Sequence, residues 1–390
     1  MRTYYLMNKN EILAKLVLNS GKFYIEQLYD NRLSRLFYDI NNWIEKRPVI
    51  VGRKNLLEMA KVAQIDSCEE FVDITKAISI TDTFWINSEK NPTTWDKVSP
   101  YSNSISRIIA NIALDGLRQF NNQHLASPSP QYKLGGSVDK CVKRVDGRIL
   151  LYKSCGDIEY GLEVNKVRPY SEYFATQFIN MVGLNKNVVK YSIDEKITQK
   201  NTIMPYCICE IFTNEQYGLI EYCDSIYANT GLDELFKYYL SIKNSNANIL
   251  RNMMILDSIL LNPDRHSGNI GFIVNNDTFE IKQLAPIYDN DCSLGALTSI
   301  TSQGFEEAYD KITKYMLPRC DLGDYDDLAL IFMNKPWYNR LKVLQNKVKF
   351  NKGKLIGISD NRVNFMSYLV NRRINRIVSL IEETYHLKNT

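Results

Sequence analysis

The chain has 390 residues, of which 45% are hydrophobic and 24% are charged, and its formal net charge is +4. This length predicts two or three packed units, and the composition is that of an ordinary globular protein without a long disordered tract. Scattered lysines and arginines argue against direct nucleic-acid binding, and three histidines are too few for a histidine-rich metal site. The composition does not exclude a site in which carboxylates bind a hard cation such as magnesium.

The N-terminal stretch predicts a β-hairpin and carries no targeting signal. Residues 3 to 18 alternate as strand, turn and strand around the polar turn at 8 to 10. The first residues lack the apolar region of a signal peptide, and no window of the chain approaches eighteen uninterrupted apolar residues. We therefore expect a cytoplasmic protein without a membrane span, with secretion as an effector left open.

A linker is predicted near residue 125. An amphipathic helix over 104 to 120 closes the first unit, and two Ser-Pro steps follow within 124 to 131. The residue before a proline is disfavoured in helix, so these steps favour an irregular connection. The sequence thus predicts an N-terminal accessory α/β unit over 1 to 125.

A glycine loop and a β-hairpin open the next unit. The loop combines small residues with a lysine: Gly135, Gly136, Ser137 and Lys140. Glycine lets backbone amides approach a phosphate closely, so the loop could cover one. A hairpin with its turn at 146 to 147 then ends on Lys153. Lys153 is placed to hold the phosphates of a nucleotide.

A helix and a buried strand complete this unit. Ser171 is predicted to cap a helix over 172 to 182, which puts Glu172 in its first turn, where it could pair with Lys153. Residues 204 to 213 predict a buried strand that leads into a connection. It contains Cys207 and Cys209, whose spacing is shorter than zinc sites use, so reduced buried thiols are expected.

The strongest chemical signal follows an apolar helix over 247 to 261. This helix is apolar around most of its circumference and belongs in a core, so it presents the next loop rigidly. The loop contains Asp264 and Asn269, and Asp289 follows one further β-hairpin. Phosphoryl transfer needs a carboxylate to orient the attacking hydroxyl and oxygen ligands for magnesium. Asp264 fits the first task, and Asn269 with Asp289 fits the second.

The motifs Asp264-Arg265-His266-Ser267-Gly268-Asn269 and Leu284-Ala285-Pro286-Ile287-Tyr288-Asp289 resemble those of the HipA-like (HipA/CtkA-type) serine/threonine kinases, a family of bacterial persistence toxins. The likeness covers roughly residues 130 to 385. It implies an ATP- and magnesium-dependent kinase in which Asp264 is the catalytic base and Asn269 and Asp289 bind metal. His266 is either a partner of the transferred phosphate or a hydrogen-bonding residue of its own loop.

The resemblance also implies the fold and further contacts. It predicts an α+β, bilobal protein-kinase-like fold with a β-rich N-lobe and hinge over 126 to 213 and a helical C-lobe over 214 to 390. Lys140 would close the phosphate loop, and Glu210 and Phe212 would contact adenine from the connection between lobes. A protein substrate with a Ser or Thr hydroxyl and an antitoxin-like partner are implied as well.

Three questions stay open from the sequence. Autophosphorylation has no secure site, although Ser127, Ser129 and Ser137 are candidates near the glycine loop. The Asp-Arg-His string is also similar to the loop of phosphatidylinositol 3-kinase-like enzymes, so a lipid or small-molecule kinase is an alternative. A catalytically inactive nucleotide-binding interaction module is a third reading, although all expected functional positions are retained.

Overall fold

The structure, a computed structural model, describes residues 2–47, 55–115, 128–134, 138–155, 162–197, 203–300 and 304–387. The chain divides into two compact units. The first comprises 1–156, 208–229 and 271–283, and the second comprises 157–207, 230–270 and 284–390. The predicted α+β class is confirmed, and two units are consistent with a bilobal layout. The three contiguous segments predicted above stay a prediction.

Antiparallel strands and helices alternate along the chain. The strands are β1 Arg2–Asn8, β2 Glu11–Asn19, β3 Lys22–Leu28, β4 Phe84–Ser88, β5 Lys140–Val145, β6 Arg148–Ser154, β7 Ser192–Ile197, β8 Ile203–Glu210, β9 Tyr217–Glu221, β10 Gly271–Asn275 and β11 Glu280–Leu284. The helices are α1 Ile40–Lys46, α2 Leu56–Val62, α3 Cys68–Thr75, α4 Trp95–Val98, α5 Arg107–Asp115, α6 Leu162–Met181, α7 Leu232–Ser241, α8 Asn246–Leu260, α9 Phe305–Tyr315, α10 Tyr325–Phe332, α11 Lys335–Leu344 and α12 Asp360–Leu387. Within the described residues, none of these helices combines the length and apolar character that crossing a bilayer requires.

Two sheets form the framework of the first unit. One has the strand order β3-β2-β1-β4, and the other has the order β11-β10-β9. The predicted N-terminal hairpin is confirmed, since β1 pairs antiparallel with β2 and Asn8 lies opposite Glu11. Trp85 of β4 is fully buried, and its indole Nε1 donates to the carbonyl oxygen of Lys9 at 2.7 Å. A buried tryptophan whose N–H has a partner stabilises the turn that it packs against.

The stretch predicted as a linker is in part a buried component of the first unit. Residues 128–134 contain a short 3-10 helix in which Gln131 is fully buried. The Gln131 amide donates to the carbonyl oxygen of Val142 at 2.6 Å and accepts its N–H at 3.0 Å. The side chain thus satisfies both backbone groups of one β5 residue, as a neighbouring strand would. The two Ser-Pro steps indicate an irregular backbone, but they do not show whether that backbone is exposed or buried.

Helix α8 is the core of the second unit. Its middle residues are fully buried, and α7, α10 and α12 pack around it. The helix ends where Leu261 adopts a left-handed conformation with φ of 53° and its N–H bonds to the carbonyl oxygen of Asp257. The predicted apolar helix at 247 to 261 is thereby confirmed. Its end fixes the direction in which the following loop leaves the core.

Helix α6 differs from its prediction. It begins at Leu162, so Ser171 and Glu172 lie in its interior, and the prediction that Ser171 caps a helix starting at 172 is wrong. Both side chains are fully buried, and the Ser171 hydroxyl donates to the carbonyl oxygens of Asn290 and Ser293. A serine just before a run of apolar residues resembles an N-cap in sequence. In the structure, the Ser171 hydroxyl instead hydrogen-bonds to a distant segment of the chain.

Shortening a buried side chain of α8 should destabilise the protein strongly. Leu256 is fully buried, so we expect Leu256→Ala to lower the free energy of unfolding by about 2–5 kcal/mol through lost burial and a residual cavity. Urea unfolding followed by circular dichroism measures this loss. Val343 is 64% exposed, and Val343→Ala should stay within about 0.5 kcal/mol of wild type. Equal effects of the two substitutions would contradict the placement of α8.

Candidate active site

The loop after α8 is organised by hydrogen bonds within itself. The carbonyl oxygen of Asp264 accepts from the backbone N–H of His266 at 2.9 Å and from the side-chain amide of Asn269 at 2.8 Å. The N–H of Asp264 donates to the Asn262 side chain at 3.1 Å. Since the Asn269 amide nitrogen is engaged, its oxygen is the atom left to bind a cation.

Arg265 joins this loop to the loop that carries Asp289. One of its terminal nitrogens, Nη1, donates to the carbonyl oxygens of both Asn269, at 3.0 Å, and Tyr288. The other, Nη2, donates to the side chain of Asn290 at 3.0 Å. Two backbone carbonyls that share one donor atom must lie side by side. The structure therefore brings the Asn269 loop and the Asp289 loop together, as the hairpin between them predicted.

Arg265 is itself held by a buried carboxylate. It is fully buried, and its Nε and Nη2 atoms donate to the two oxygens of Asp257 at 2.8 and 3.0 Å. Burial by itself lowers the pKa of the guanidinium, but the charge of Asp257 raises the pKa above its usual value. The guanidinium therefore stays charged inside the core, and its bidentate contact with Asp257 fixes the orientation of its plane.

Asp289 occupies an uncommon backbone conformation. Its φ is 62°, in the left-handed region that aspartate tolerates better than most residues. Its carbonyl oxygen accepts from the side-chain amide of Asn262 at 3.5 Å, a long contact, and the same amide donates to Asp257 at 3.1 Å. Backbone outliers of this kind cluster at functional sites, which is consistent with a role for Asp289.

Helix α6 anchors the other side of the Asp289 loop. The Glu172 carboxylate accepts the backbone N–H of Asn290 at 3.0 Å. The neighbouring Ser171 hydroxyl donates to the carbonyl oxygen of the same residue. One turn earlier, the Nη2 atom of Arg168 donates to both carboxylate oxygens of Asp291, at 3.0 and 2.8 Å. Burial disfavours the charge of Arg168, yet Asp291 raises its pKa above the usual value. Three side chains of one helix therefore hold the residues that follow Asp289.

The carboxylate of Asp264 is part exposed, at 27%, and has two neighbours. Its Oδ1 atom forms an ion pair with Arg319 at 2.8 Å. Its Oδ2 atom lies 3.8 Å from the sulfur of Cys292. Burial, together with the charge of Asp291, raises the pKa of the Cys292 thiol, so at neutral pH the sulfur keeps its proton and can donate it. The Asp264 carboxylate is thus accessible from solvent.

His266 hydrogen-bonds within its own loop. Its Nδ1 atom accepts the backbone N–H of Gly268 at 3.0 Å, which caps the short 3-10 turn Ser267–Asn269. Because Nδ1 accepts here, the ring proton of a neutral imidazole lies on Nε2. This agrees with the second of the two sequence interpretations, in which His266 shapes the loop. A contact with a transferred phosphate stays a prediction.

The remaining predicted residues lie in the first unit or outside the described residues. Lys140 and Lys153 are opposite one another in the β5–β6 register, so their side chains share a face, and Lys153 is buried. Glu210 ends β8 with an exposed side chain, and Phe212 is half-buried just after it. The glycine loop, 135 to 137, lies outside the described residues. The pairing of Lys153 with Glu172 stays a prediction.

Sequence reasoning missed the residues that support the site. The sequence did contain a sign of one of them. Asp257 is a charged residue within an apolar helix, and such a residue is rarely buried without a partner, so a buried ion pair could have been predicted there. Arg168 and Asp291 lie 123 residues apart in sequence, and Arg319 and Asp264 lie 55 apart. No local pattern links such distant residues, so these pairs could not be identified without the fold.

The chain is similar to a known kinase in both sequence and structure comparisons. The chain is 27% identical over 214 residues to the serine/threonine-protein kinase CtkA of Helicobacter pylori, and the match covers 47% of this chain and 61% of that kinase. The crystal structure of the proinflammatory kinase CtkA superposes with a TM-score of 0.45 at 20% identity, over 64% of this chain and 94% of that one. No protein-family model matches. The predicted resemblance to kinases of HipA/CtkA type is confirmed by the sequence match, which spans about three fifths of the relative.

Removing Arg265 should be far more costly than removing Arg319, the exposed arginine that pairs with Asp264. Arg265→Ala leaves the charge of Asp257 buried without its partner, and we expect it to lower the free energy of unfolding by about 3–5 kcal/mol. Arg319→Ala breaks an ion pair whose arginine is 65% exposed, and the loss should stay below about 1 kcal/mol. Chemical denaturation of both variants measures the difference. Similar small losses in both would show that Arg265 does not hold the loops.

Proposed function

We propose that this chain, which is similar to a serine/threonine kinase of HipA/CtkA type, transfers the γ-phosphate of ATP to a Ser or Thr hydroxyl of a protein with the help of magnesium. The observation that supports this most strongly is the position of Arg265. One buried guanidinium binds the backbone of both Asn269 and Tyr288, so the loop of Asp264 and Asn269 lies against the loop of Asp289. Phosphoryl transfer requires a base and metal ligands to be placed together in this way.

Asp264 has the properties of the base in this reaction. Its carboxylate is partly exposed, so a substrate hydroxyl can reach it, while its backbone is fixed by Asn262 and Asn269. In the proposed reaction, Asp264 orients the acceptor hydroxyl and accepts its proton as the oxygen attacks phosphorus. The rigid end of α8 holds Asp264 in position, which reduces the entropy that must be lost before reaction.

Asn269 and Asp289 fit the chemistry of a magnesium site. Magnesium prefers oxygen ligands and is usually bound by one or two carboxylates together with substrate phosphates. The Asn269 amide nitrogen is engaged by the Asp264 carbonyl, which leaves an oxygen donor, and Asp289 supplies a carboxylate. Bound magnesium would neutralise phosphate charge. The protein residues would supply the ligands and keep them in place through Arg265 and α6.

Two lysines of the first unit suit the phosphates of a nucleotide. Lys140 and Lys153 are directly opposite on paired strands, so their side chains lie on the same face of the hairpin. We assign Lys153 to the phosphates and Lys140 to the end of the phosphate loop, with Glu210 and Phe212 next to adenine. The resemblance to HipA-like kinases is the basis for the adenine contacts.

Autophosphorylation and an antitoxin-like partner remain proposals from the resemblance. Of the three candidate serines, Ser129 is 1% exposed, so its hydroxyl could reach ATP only after residues 128–134 left their place. Ser127 and Ser137 lie outside the described residues. A search for an autophosphorylation site by mass spectrometry should therefore begin with these two serines.

Substitution of the base or of the metal ligand should abolish transfer. With purified protein, labelled ATP, magnesium and a mixture of Ser/Thr proteins, we expect Asp264→Asn and Asp289→Asn to reduce labelling by roughly 10²–10⁴-fold, as loss of a general base or of a metal ligand predicts. Asp360 is 80% exposed and far from these loops in sequence, so Asp360→Asn is the control and should match wild type. ATP binding without any transfer by wild type would instead favour an inactive nucleotide-binding module.

Glu172→Gln separates two roles of that residue. The glutamine oxygen can still accept the N–H of Asn290, so the Asp289 loop should remain in place, whereas the charge that would pair with Lys153 is lost. We expect the Kd for ATP to rise about tenfold or more, since hydrogen bonds to charged groups contribute roughly 1.5–3 kcal/mol. Calorimetric titration measures this change. An unaltered Kd in Glu172→Gln would eliminate the Lys153 pairing while leaving the anchor of the loop intact.

A further inference from the structure

Both oxygens of the Asp264 carboxylate have a partner in the structure. Oδ1 binds the Arg319 guanidinium at 2.8 Å, and Oδ2 faces the protonated thiol of the buried Cys292 at 3.8 Å. A base that accepts a proton from a substrate hydroxyl needs one oxygen available to that hydroxyl. Since Cys292 is buried and Arg319 is exposed, the guanidinium is the partner that a substrate can displace.

Arg319 can exchange its present partner, the Asp264 carboxylate, for another anion. Its side chain is 65% exposed, and it follows the C-terminal end of α9 through the short connection 316 to 318. Exposed ion pairs contribute only about 0.2–1 kcal/mol, so the bond to Asp264 is easily given up for another. The planar guanidinium can bind a carboxylate or a phosphate in a bidentate manner, which makes such anions its strongest competing partners.

The surface beside Arg319 also suits an extended substrate segment. Tyr315 is 70% exposed and Leu317 is 49% exposed, and both precede Arg319 within four residues. Large apolar side chains next to a displaceable arginine offer contact area together with one charged anchor. The ammonium of Lys314 lies over the Tyr315 ring at 5.1 Å and adds positive charge to this strip.

We propose that Arg319 is a specificity-determining residue that selects acceptor hydroxyls flanked by an anionic group. This inference rests on the proposed function, because it takes Asp264 as the base. The anionic group of the substrate binds the guanidinium, Arg319 leaves Oδ1 of Asp264, and the hydroxyl takes its place. One ion pair replaces another, so an anionic substrate is favoured over a neutral one. A carboxylate side chain and a phosphorylated side chain share this chemistry.

The test uses four fluorescent peptides that differ at one position next to a central serine. That position holds glutamate, phosphoserine, glutamine or lysine, so the first two distinguish the two sources of negative charge. Binding to the full chain is measured by fluorescence anisotropy with magnesium and a non-hydrolysable ATP analogue. Phosphate transfer from ATP is measured separately as kcat and KM. Peptide binding is therefore measured even if the chain transfers no phosphate. Failure of the proposed kinase activity can then be distinguished from failure of the charge preference.

We expect wild type to bind the glutamate or the phosphoserine peptide roughly two- to fivefold more tightly than the glutamine peptide, as an ion pair near a surface predicts. Arg319→Ala should bind the anionic and the glutamine peptides equally, because the guanidinium that distinguishes them has been removed. Arg319→Glu should prefer the lysine peptide. Lys354→Ala, which removes an exposed cation elsewhere in the second unit, should behave as wild type.

Four results would overturn the inference. Wild type could bind anionic and neutral peptides equally, or bind none of the four. Arg319→Ala could keep the preference for negative charge. Arg319→Ala could also lower kcat for every peptide by the same factor, which would make Arg319 a residue that only orients Asp264. A preference for charge that follows Arg319, found together with no phosphate transfer, would support the inference and contradict the proposed function.

Discussion

The candidate site depends on a buried guanidinium that binds four residues of the chain. Arg265 is held by the two oxygens of Asp257, and it binds the carbonyl oxygens of Asn269 and Tyr288 and the side chain of Asn290. A charge buried this deeply is stable only when nearly all of its donors are used, which restricts the loops to one arrangement. The position of the proposed metal ligands, Asn269 and Asp289, therefore follows from the hydrogen-bonding requirements of an arginine that binds no metal itself.

The supporting contacts and the reactive groups differ in exposure. Arg265, Glu172 and Ser171 are fully buried, whereas Asp264 is 27% exposed and Arg319 is 65% exposed. Rigid, desolvated contacts place the loops, whereas the proposed base, Asp264, pairs with an exposed arginine. This division suits an enzyme, since a base fixed by buried partners could not exchange them for a hydroxyl within one catalytic cycle.

The sequence predicted the parts of the site that lie close together in the chain. The apolar pattern of α8, the spacing from Asp264 to Asn269 and the hairpin before Asp289 are local, and the structure agrees with each. The helix around Ser171 was predicted too short, because a serine that serves a distant loop resembles an N-cap in sequence. Contacts such as Arg168 with Asp291 depend on folding of distant segments, and only the structure could provide them.

The central claim is that the loops held by Arg265 place the Asn269 amide oxygen and the Asp289 carboxylate on one cation beside nucleotide. A crystal structure of the protein with manganese and a non-hydrolysable ATP analogue, examined by anomalous scattering at the manganese edge, tests it most directly. We predict a peak bonded to both side chains at roughly 2.0–2.2 Å, close to magnesium distances. A peak bound by neither Asn269 nor Asp289, with nucleotide present, would contradict the account.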